Sequence, residues 1–384
     1  MRKVKVGVIG TGFIGPAHIE AMRRLGHIDV VALADVNEEV ARQKADALSV
    51  PTAYGDYKKL LADEQIEAVH ICTPNNFHYP MSKEALLAGK HVVCEKPLAM
   101  NSAEAKDLIG IAKEKGLANA VHFNIRFYPI IHHVRDMIKN GDLGMIFAVN
   151  GSYQQDWLFL DTDYNWRLEP EFSGDSRAVA DIGSHWLDSV EFMTGVKVVK
   201  VCADFATFHP IRKKPLKPIE TYSGKMLTPE DYSDMKIDTE DYATILLRFD
   251  NGARGSLTVN QVAAGRKNRI FFEIYGSKAG IQYNTESPNE IWIGYREKNN
   301  EVLMRDPSLL YAGARDIVSF PGGHNEGFPD TSKQFFSKFY RYIIEEGFKK
   351  GNAPEFPTFE AGLRELDLCE SVVNSARNEK WASV

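Results

Sequence analysis

The sequence predicts two domains. An α/β domain with a doubly wound parallel sheet covers residues 1–123, and an α+β domain with a large open, mainly antiparallel sheet and a C-terminal helix covers residues 124–384. Three observations predict this fold class. A chain of 384 residues is too long for one ordinary hydrophobic core. Its first third alternates short apolar runs with helical stretches, whereas its later apolar runs alternate with polar residues.

Each apolar run in the first third is predicted to be a buried parallel strand. The runs are continuous rather than alternating, which is typical of a sheet covered by helices on both faces. In chain order they are "VKVGVIG", "IDVVALAD", "IEAVHICTP", "KHVVCE" and "LANAVHF". The segments between them, such as "NEEVARQKADALS" and "SAEAKDLIGIAKEKG", have helical patterns. We therefore expect the doubly wound domain to end near Phe123.

The pattern changes after Phe123. A helix predicted over residues 128–140 ends at Asn140–Gly141, which is a helix-stop signal. Alternating strands follow, and Asp250–Asn251–Gly252 predicts a hairpin turn between two of them. The tail "TFEAGLRELDLCESVVNSARNEK" is an amphipathic helix. Residues 211–225 are polar and interrupted by prolines, so we expect a solvated loop there.

Composition and charge exclude several classes of function. Hydrophobic residues make up 44% and charged residues 26% of the chain, as in a soluble globular protein. A net charge of −6 argues against a nucleic-acid partner. The start "MRKVKVGVIG" is unlike a signal peptide and no apolar run reaches membrane-spanning length, so we expect a cytoplasmic protein without a membrane partner. The four cysteines and the histidines lack metal-ligand spacing, so we predict no metal site.

The first strand runs directly into "GTGFIG", which predicts a dinucleotide-binding turn. Gly10, Gly12 and Gly15 fit the pattern G-x-G-x-x-G. The first glycine permits the tight turn, the second lets backbone amides approach a pyrophosphate, and the third lets the helix pack closely. Phe13 and Ile14 complete the turn at the helix N-terminus, which attracts an anion.

Asp35 closes the second strand, twenty residues after Gly15, and predicts which dinucleotide binds. A carboxylate at this place accepts hydrogen bonds from the adenosine ribose and repels a 2′-phosphate. No arginine follows it before Arg42. We therefore predict NAD as the cofactor and consider NADP disfavoured. The alternative is that Asp35 only caps the following helix, a role for which Asn37 competes.

Glu95 and Lys96 follow a core strand directly, in "HVVCEKPLAM". Ligands of open parallel sheets bind outside the carboxyl ends of the strands, so we expect both charges at the cofactor crevice. An ammonium group there can hydrogen-bond a substrate hydroxyl and stabilise the alkoxide that forms. The alternative is a surface lysine followed by a loop that starts at Pro97.

The segment "RAVADIGSHWLDSVEFMTG" carries a second catalytic signal. Asp181 and His185 are four residues apart at the start of a predicted helix, so their side chains share one face. A histidine suits proton transfer at neutral pH, and a carboxylate one turn back can orient its ring. The alternative is a capping aspartate and a half-buried histidine.

The glycine fingerprint, "EKP" and "DIGSH", in this order, resemble the Gfo/Idh/MocA oxidoreductases, and "CTPNNFHYP", "FNIRFYP" and "GSKAG" look like the same family. The resemblance implies a Rossmann domain, an open-sheet second domain, and oxidation of a polyol or sugar with a nicotinamide. It implies that Lys96, Asp181 and His185 form the catalytic trio and that the proline after Lys96 follows a cis bond. The residues that it places along the cofactor site are Thr73, Pro74, Asn75, His78 and Glu95, together with Lys96.

Candidate substrate contacts lie in two later segments. "YQQDWLFLDTDYNWR" mixes carboxylates, amides and aromatic rings, a combination that suits the polar and C–H faces of a sugar. The predicted substrate contacts are Lys96, Arg126, Asp156, Trp166, Arg167, His185 and His324. The alternatives are that Trp166 only packs between domains and that the loop carrying His324, "PGGHNEGFPD", contacts no ligand.

The predicted function is hydride transfer between a nicotinamide and a secondary alcohol of a sugar, polyol or sugar derivative. One rival function is glycoside hydrolysis with a retained, transiently reduced NAD. Another is a non-enzymatic dinucleotide-sensing regulator, which the presence of both "EKP" and "DIGSH" disfavours. We also expect a homo-oligomer, a dimer or tetramer, because few helix signals remain to cover the outer face of the antiparallel sheet.

Overall fold

The computed structural model describes residues 2–216 and 229–384, which divide into two compact units. The first unit runs to Asn124 and also includes Phe328–Leu366. The second unit comprises Ile125–Gly327 and Asp367–Val384.

A six-stranded parallel sheet forms the centre of the first unit, in the order β3-β2-β1-β4-β5-β6. Its strands are β1 (Val4–Ile9), β2 (Ile28–Ala34), β3 (Thr52–Tyr54), β4 (Ala68–Ile71), β5 (His91–Cys94) and β6 (Asn119–Val121). The helices between them are α1 (Ile14–Arg23), α2 (Glu38–Ala47), α3 (Tyr57–Leu61), α4 (His78–Leu87) and α5 (Ser102–Lys115). The predicted doubly wound parallel sheet is confirmed, and its order reverses between β1 and β4.

The strands of this sheet are buried on both faces, as their continuous apolar runs predicted. All four residues of β4 are buried, and Val92, Val93 and Cys94 of β5 are 0% exposed. Local signals end the helices: Asn101 caps α5 at its start, and Gly116 follows it in the left-handed conformation, with φ +61°.

The second unit begins with α6 (Pro129–Lys139), close to the predicted helix. The further elements of the second unit, up to residue 327, are β7 (Ile146–Gln154), α7 (Pro170–Ser173), α8 (Ser184–Thr194), β8 (Val198–Ala206), β9 (Ile211–Pro215), β10 (Tyr232–Lys236), β11 (Tyr242–Phe249), β12 (Arg254–Asn260), β13 (Arg269–Gly276), β14 (Gly280–Asn284), β15 (Glu290–Gly294), β16 (Glu301–Met304) and α9 (Ala312–Arg315). The chain ends with α10 (Phe328–Ile344), α11 (Gly347–Lys350), α12 (Phe359–Asn378) and β17 (Ala382–Ser383).

Nine strands of the second unit form one open sheet, in the order β16-β15-β14-β13-β7-β12-β11-β8-β17. Every neighbouring pair is antiparallel except β7 and β12, which run parallel. The prediction of a large, mainly antiparallel sheet is therefore confirmed. Its inner face carries buried residues such as Leu257, Phe272 and Ile281.

The prediction of a solvated loop over residues 211–225 is wrong for its first part. Ile211–Pro215 forms β9, which pairs with β10. Arg212 is 0% exposed, and its Nη2 lies 2.7 Å from Oδ1 of the equally buried Asp241. A buried guanidinium is tolerated because this carboxylate neutralises it, and no local sequence signal reveals the partner. Residues 217–225 lie outside the described part of the chain.

Candidate active site

The glycine-rich turn of the first unit has the geometry that its sequence predicted. Gly10 has φ +90°, and a Cβ placed there would lie 2.7 Å from the carbonyl oxygen of Cys72. A Cβ on Gly15 would collide with the carbonyl oxygen of Gly10, so α1 can pack closely on the turn. At Gly12, by contrast, no described atom lies within 4 Å of a Cβ position. The turn therefore has an open side at Gly12, where backbone amides can meet a pyrophosphate.

Phe13 and Ile14 lie where this turn becomes a helix. Ile14 is the first residue of α1, and the ring of Phe13 before it is 62% exposed. The N-terminal end of α1 thus lies next to the open side of the turn, which suits an anionic group.

Asp35 contacts the glycine-rich turn instead of capping the next helix. Its Oδ2 accepts hydrogen bonds from the backbone N–H of Thr11, at 2.9 Å, and from the Thr11 hydroxyl. Asn37 is the residue that caps α2, because its side chain accepts from the N–H of Val40 at 2.9 Å. The capping alternative for Asp35 is therefore wrong, and its carboxylate lies beside the glycine-rich turn.

The segment after β4 contributes polar groups to the same edge of the sheet. The Thr73 hydroxyl oxygen is buried, and no described residue hydrogen-bonds it, which is the situation expected where a ligand supplies the partner. His78 has its Nε2 2.9 Å from the Thr73 carbonyl and its Nδ1 2.6 Å from the Pro97 carbonyl. His78 therefore ties two loops together through their backbones. Pro74 and Asn75 lie between them in sequence, and Asn75 is buried.

Glu95 lies at the predicted strand end, but its side chain is buried among histidines. Its Oε1 lies 2.8 Å from Nε2 of His18 and 2.6 Å from Nδ1 of His122. Its Oε2 accepts the backbone N–H of Lys96 at 3.2 Å. The residue is 8% exposed. Sequence reasoning located Glu95 correctly along the strand but missed His18 and His122, which lie 77 and 27 residues away in the chain.

The protonation of this cluster follows from its burial and its hydrogen bonds. Burial alone would raise the pKa of the Glu95 carboxyl, but His122 and His18 outweigh it and hold that pKa well below its usual range. Burial lowers the pKa of His18 to about 4. It likewise holds the pKa of His70 well below its usual range. Glu95 is therefore an anion, with neutral imidazoles at His18 and His70.

The same cluster has the residue types of a metal site, but its distances are those of hydrogen bonds. Ligand atoms of His18, Glu95 and His122 lie within 4.8 Å of one another. The two nitrogen–oxygen separations are 2.8 and 2.6 Å, as in charge-assisted hydrogen bonds. We interpret the group as a hydrogen-bond network.

Lys96 is half-buried and directly follows Glu95 at the carboxyl end of β5. Its peptide bond to Pro97 is cis, as the resemblance implied. The residue thus lies at the edge of the parallel sheet where dinucleotides bind.

In the second unit, Asp181 belongs to a π-helical turn, Val179–Gly183, that leads into α8. Such turns occur frequently at functional sites. The Asp181 carboxylate accepts from Nε of Arg167 at 3.0 Å and from Nε2 of Gln261 at 2.9 Å. The sequence predicted Arg167 as a substrate contact. It gave no indication that Arg167 holds Asp181, and Gln261 was not predicted at all.

His185 lies one turn after Asp181, in α8, and is 8% exposed. Its ring centroid is 6.4 Å from that of Tyr153, on β7. Arg126 forms a two-pronged ion pair with Asp188, three residues after His185, with Nε 2.6 Å from Oδ2. Arg126 therefore fixes the face of α8 that carries His185. The sequence signal that was available for Asp188 is that it is one of two acidic residues, with Glu191, in this mostly apolar helix.

The other predicted substrate contacts of the second unit have partners within it. Asp156 accepts from the N–H of Gly265 at 3.0 Å and pairs with Lys267 at 2.7 Å. The Arg167 guanidinium lies 4.4 Å from the ring centroid of Trp166. His324 is exposed.

The loop that carries His324 is anchored by a buried arginine. Arg305 is 3% exposed and donates to the backbone carbonyls of Phe320, Pro321 and His324. It also forms an ion pair with Glu326 at 2.8 Å. His324 is therefore presented from a defined backbone, although its side chain is exposed.

Two family models match the chain. Residues 4–123 match an oxidoreductase family with an NAD-binding Rossmann fold, and residues 131–282 match a GFO/IDH/MocA C-terminal domain. None of the helices within residues 2–216 and 229–384 is both long enough and apolar enough to cross a membrane.

Named relatives extend over most or all of the chain. Levoglucosan dehydrogenase from Pseudarthrobacter phenanthrenivorans is 28% identical and covers 100% of this chain and 99% of its own. Myo-inositol 2-dehydrogenase from Thermotoga maritima is 29% identical over 72% of this chain and 74% of its own. A solved structure of levoglucosan dehydrogenase with NADH and L-sorbose has a TM-score of 0.88 at 28% identity, covering 100% of this chain and 99% of that one.

Residues 4–123 match an NAD-binding Rossmann fold and the solved neighbour is a complex with NADH, so NAD is the cofactor of this protein. The chain belongs to the Gfo/Idh/MocA family of oxidoreductases.

Proposed function

We propose that this protein oxidises a secondary alcohol of an unmodified or derivatised sugar or polyol to a ketone, using NAD. The observation that carries the proposal is the anchoring of Asp181 by Arg167 and Gln261 one turn before His185. A carboxylate held in this way, one helical turn before a histidine, is suited to orient an imidazole for proton transfer. The names of the relatives, which include dehydrogenases of levoglucosan and myo-inositol, support a polyhydroxylated ring as the substrate.

The residues have distinct roles in this reaction. NAD, when bound, supplies the hydride acceptor at nicotinamide C4. We assign His185 as the base that removes the hydroxyl proton and Lys96 as the donor that stabilises the negative oxygen. Asp181 orients the imidazole and favours its protonated form after the transfer. This division of roles follows from the motifs that contain the three residues.

The second unit supplies the substrate contacts in this proposal. Arg167 uses Nε for Asp181 and Nη1 for Asn165, so Nη2 is the nitrogen that we assign to a substrate oxygen. The ring of Trp166 under the same guanidinium can face the C–H side of a sugar. The remaining proposed contacts are Arg126, Asp156 and His324.

A substrate panel tests the proposal. The purified protein with NAD is offered inositols, free sugars, anhydrosugars, sugar phosphates and glycosides, and NADH formation is followed by absorbance. We expect NADH with at least one neutral sugar or polyol. Release of free sugar from a glycoside without net NADH would instead identify the hydrolase, and no turnover across the panel would reject the dehydrogenase.

We also propose a homo-oligomer that buries the outer face of the nine-stranded sheet. Paired residues in one row across this face are half-buried or exposed, whereas the adjacent rows are buried. The row is Leu246, Ser256, Asn150, Glu273, Gln282, Trp292 and Val302. Leu246 is 48% exposed and Val302 60% exposed, and a second copy of the sheet would remove these side chains from water.

The mass of the protein in solution tests the oligomer. Light scattering at micromolar concentration should give a dimer or tetramer, and Leu246→Asp should shift the mass toward the monomer. A matched change on the exposed loop, Lys298→Asp, should leave the mass unchanged. A monomeric wild-type protein would reject the proposal.

A further inference from the structure

Three histidines and a tyrosine form a continuous hydrogen-bond chain that ends on Glu95. Nε2 of His70 lies 2.7 Å from the Tyr340 hydroxyl, and its Nδ1 lies 2.8 Å from Nδ1 of His18. Nε2 of His18 then lies 2.8 Å from the carboxylate oxygen Oε1, which also contacts His122. Tyr340, His70 and His18 are all 0% exposed, and His122 is 2% exposed.

The donors and acceptors of this chain can be satisfied in only one direction if Glu95 is ionised. The carboxylate can only accept, so Nε2 of His18 carries a hydrogen. A neutral His18 then accepts at Nδ1, so His70 must donate from its own Nδ1 and accept at Nε2 from the Tyr340 hydroxyl. The contacts that link Tyr340, His70, His18 and Glu95 are then all satisfied, and no imidazole in this chain needs a charge. Nε2 of His18 and Nδ1 of His122, 3.2 Å apart, both donate to Oε1 instead of to each other.

The tautomer of His122 is assigned on the same grounds. Its Nδ1 faces the carboxylate and must donate, and its Nε2 is buried with no hydrogen-bond partner among the described residues. An unprotonated Nε2 without a hydrogen-bond partner costs less free energy there than the unpartnered N–H of a buried cation. The ring of Phe336 stacks on His122 at 5.1 Å between centroids, which is consistent with an apolar surrounding.

Glu95 therefore has imidazole and backbone donors but no permanent cation as an ion-pair partner. Within residues 2–216 and 229–384, its salt bridges involve only His18 and His122, and no lysine or arginine. A buried carboxylate without a counter-ion is expensive unless something bound nearby supplies positive charge.

We propose that the imidazole chain keeps Glu95 as a buried anion without a counter-ion at the carboxyl edge of β5. This anion favours binding of NAD⁺, whose nicotinamide ring is positively charged, over NADH, whose ring is neutral. His18 and His122 are the positioning residues that maintain this anion. The inference rests on the proposed function and on the family resemblance, which implies that Glu95 lies in the cofactor site near the nicotinamide. Beyond that function, it names Glu95 as a residue that determines which redox state of the cofactor binds more tightly.

The charged and titratable groups that face Glu95 come from several elements. They are His18 on α1, His70 on β4, Cys72 and His78 after β4, the two sequence neighbours Cys94 and Lys96, and His122 after β6. Lys96 and His78 are present with either form of the cofactor. They are also unchanged in Glu95→Gln, so their contribution cancels when the ratio is compared between wild type and variant.

Equilibrium binding to the full-length protein without substrate tests this inference. Dissociation constants for NAD⁺ and NADH are measured by calorimetry and by NADH fluorescence for the wild type and for Glu95→Gln. We expect the ratio of the NAD⁺ constant to the NADH constant to rise by about tenfold in Glu95→Gln, since a unit charge at a few ångströms has at least that effect in a partly buried site. An equal loss for both forms, or a ratio within about twofold of wild type, would overturn the inference.

A second variant tests the role of the imidazole donors. His122→Phe removes one N–H from Oε1 and fits an aromatic surrounding, so burial should then raise the pKa of Glu95. The ratio should become pH-dependent in this variant and approach that of Glu95→Gln as the pH is lowered, whereas the wild-type ratio changes less. Tyr340→Phe, which removes a hydroxyl from the far end of the same chain, should keep the wild-type ratio.

Spectroscopy and metal analysis supply independent checks. Nitrogen NMR of the imidazoles should show His122 as the neutral Nδ1–H tautomer at about pH 8. A doubly protonated His122, or a stoichiometric transition metal in the purified protein, would overturn the inference. Because no measurement here uses a substrate, failure of the proposed oxidation would be seen separately, in the substrate panel.

Discussion

Gln261 donates a hydrogen bond from Nε2 to Oδ2 of Asp181 across 2.9 Å. The orientation of its amide is determined at the other end, because Oε1 faces Nη1 of Arg177 at 3.3 Å and a guanidinium can only donate. Arg177 is ion-paired with Asp241, and Asp241 also holds Arg212. The carboxylate of Asp181 is thus the half-buried end of a buried network of charges.

We therefore expect Gln261→Ala to impair the reaction through Asp181. Loss of the amide leaves one carboxylate oxygen without its donor, so Asp181 can rotate away from its working position. The turnover number should fall by about tenfold while the dissociation constant for NAD⁺ stays unchanged. Steady-state kinetics and cofactor binding measure the two effects. Gln43→Ala, at an exposed glutamine of α2, should behave as wild type. An unchanged turnover in Gln261→Ala would contradict the assigned role.

The network around Asp181 also shows what the sequence could not predict. The four-residue spacing of Asp181 and His185 is local, and so are the glycine-rich turn and the continuous apolar strands, so all of these could be read from the chain. Gln261 lies 80 residues from Asp181, and only the pairing of sheet strands brings it there. No pattern within a short window encodes such a contact.

Glu95 shows the same limit of sequence-based prediction within a single residue. Its position at a strand end followed from the apolar run before it, and hence so did its location at the ligand-binding edge of the sheet. The direction of its side chain depended on His18 and His122, from α1 and from the end of β6. Arg212 was misread for the same reason, because its neutralising partner Asp241 is distant in sequence.

Asp35 should determine the choice between NAD and NADP. In Asp35→Ser the negative charge that would repel a 2′-phosphate is gone, so the ratio of kcat/KM for NADP to that for NAD should rise by about tenfold or more. NAD use should also weaken, because Asp35 holds the backbone of Thr11. Asn37→Ala is the matched control: it removes the cap of α2 and should lower stability without changing the cofactor preference. If the wild type uses NADP as well as NAD, the role given to Asp35 is wrong.

The buried histidines of the first unit should make the protein sensitive to mild acid. Burial lowers the pKa of His18 and of His91 to about 4 in each case, against about 6.5 in an unfolded chain. Between about pH 6.5 and pH 4 these two histidines bind protons in the unfolded state but not in the folded state. Their contribution to stability is therefore complete above pH 6.5 and is lost as the pH falls through that window.

Chemical denaturation at several pH values measures this loss. The free energy of unfolding should decrease from about pH 6.5 toward pH 4, and His91→Gln should make that decrease shallower. The backbone N–H of Ala118 donates to the His91 ring, and the glutamine amide can accept in its place, so the variant should fold. An identical pH dependence in wild type and variant would show that His91 is not buried in its neutral form.

Variants of the catalytic trio should lose turnover and keep cofactor binding. Lys96→Ala and His185→Ala should each lower the turnover number by about a hundredfold or more, since oxyanion donors and general bases contribute factors of that size. NAD⁺ binding should stay nearly intact in both. The double variant should lose less than the product of the two factors, because both residues act on one hydroxyl. Asp181→Ala should also lower turnover, with the base present but poorly oriented.

The pH dependence of oxidation then assigns the base. An imidazole must be neutral to accept a proton, so the rate should rise with pH through one titrating group. That limb of the profile should disappear in His185→Ala and remain in Lys96→Ala. If it remains in His185→Ala and disappears in Lys96→Ala instead, the two roles must be exchanged, and Lys96 is the base. Wild-type turnover in both single variants on the substrate found in the panel would mean that neither residue takes part in the chemistry.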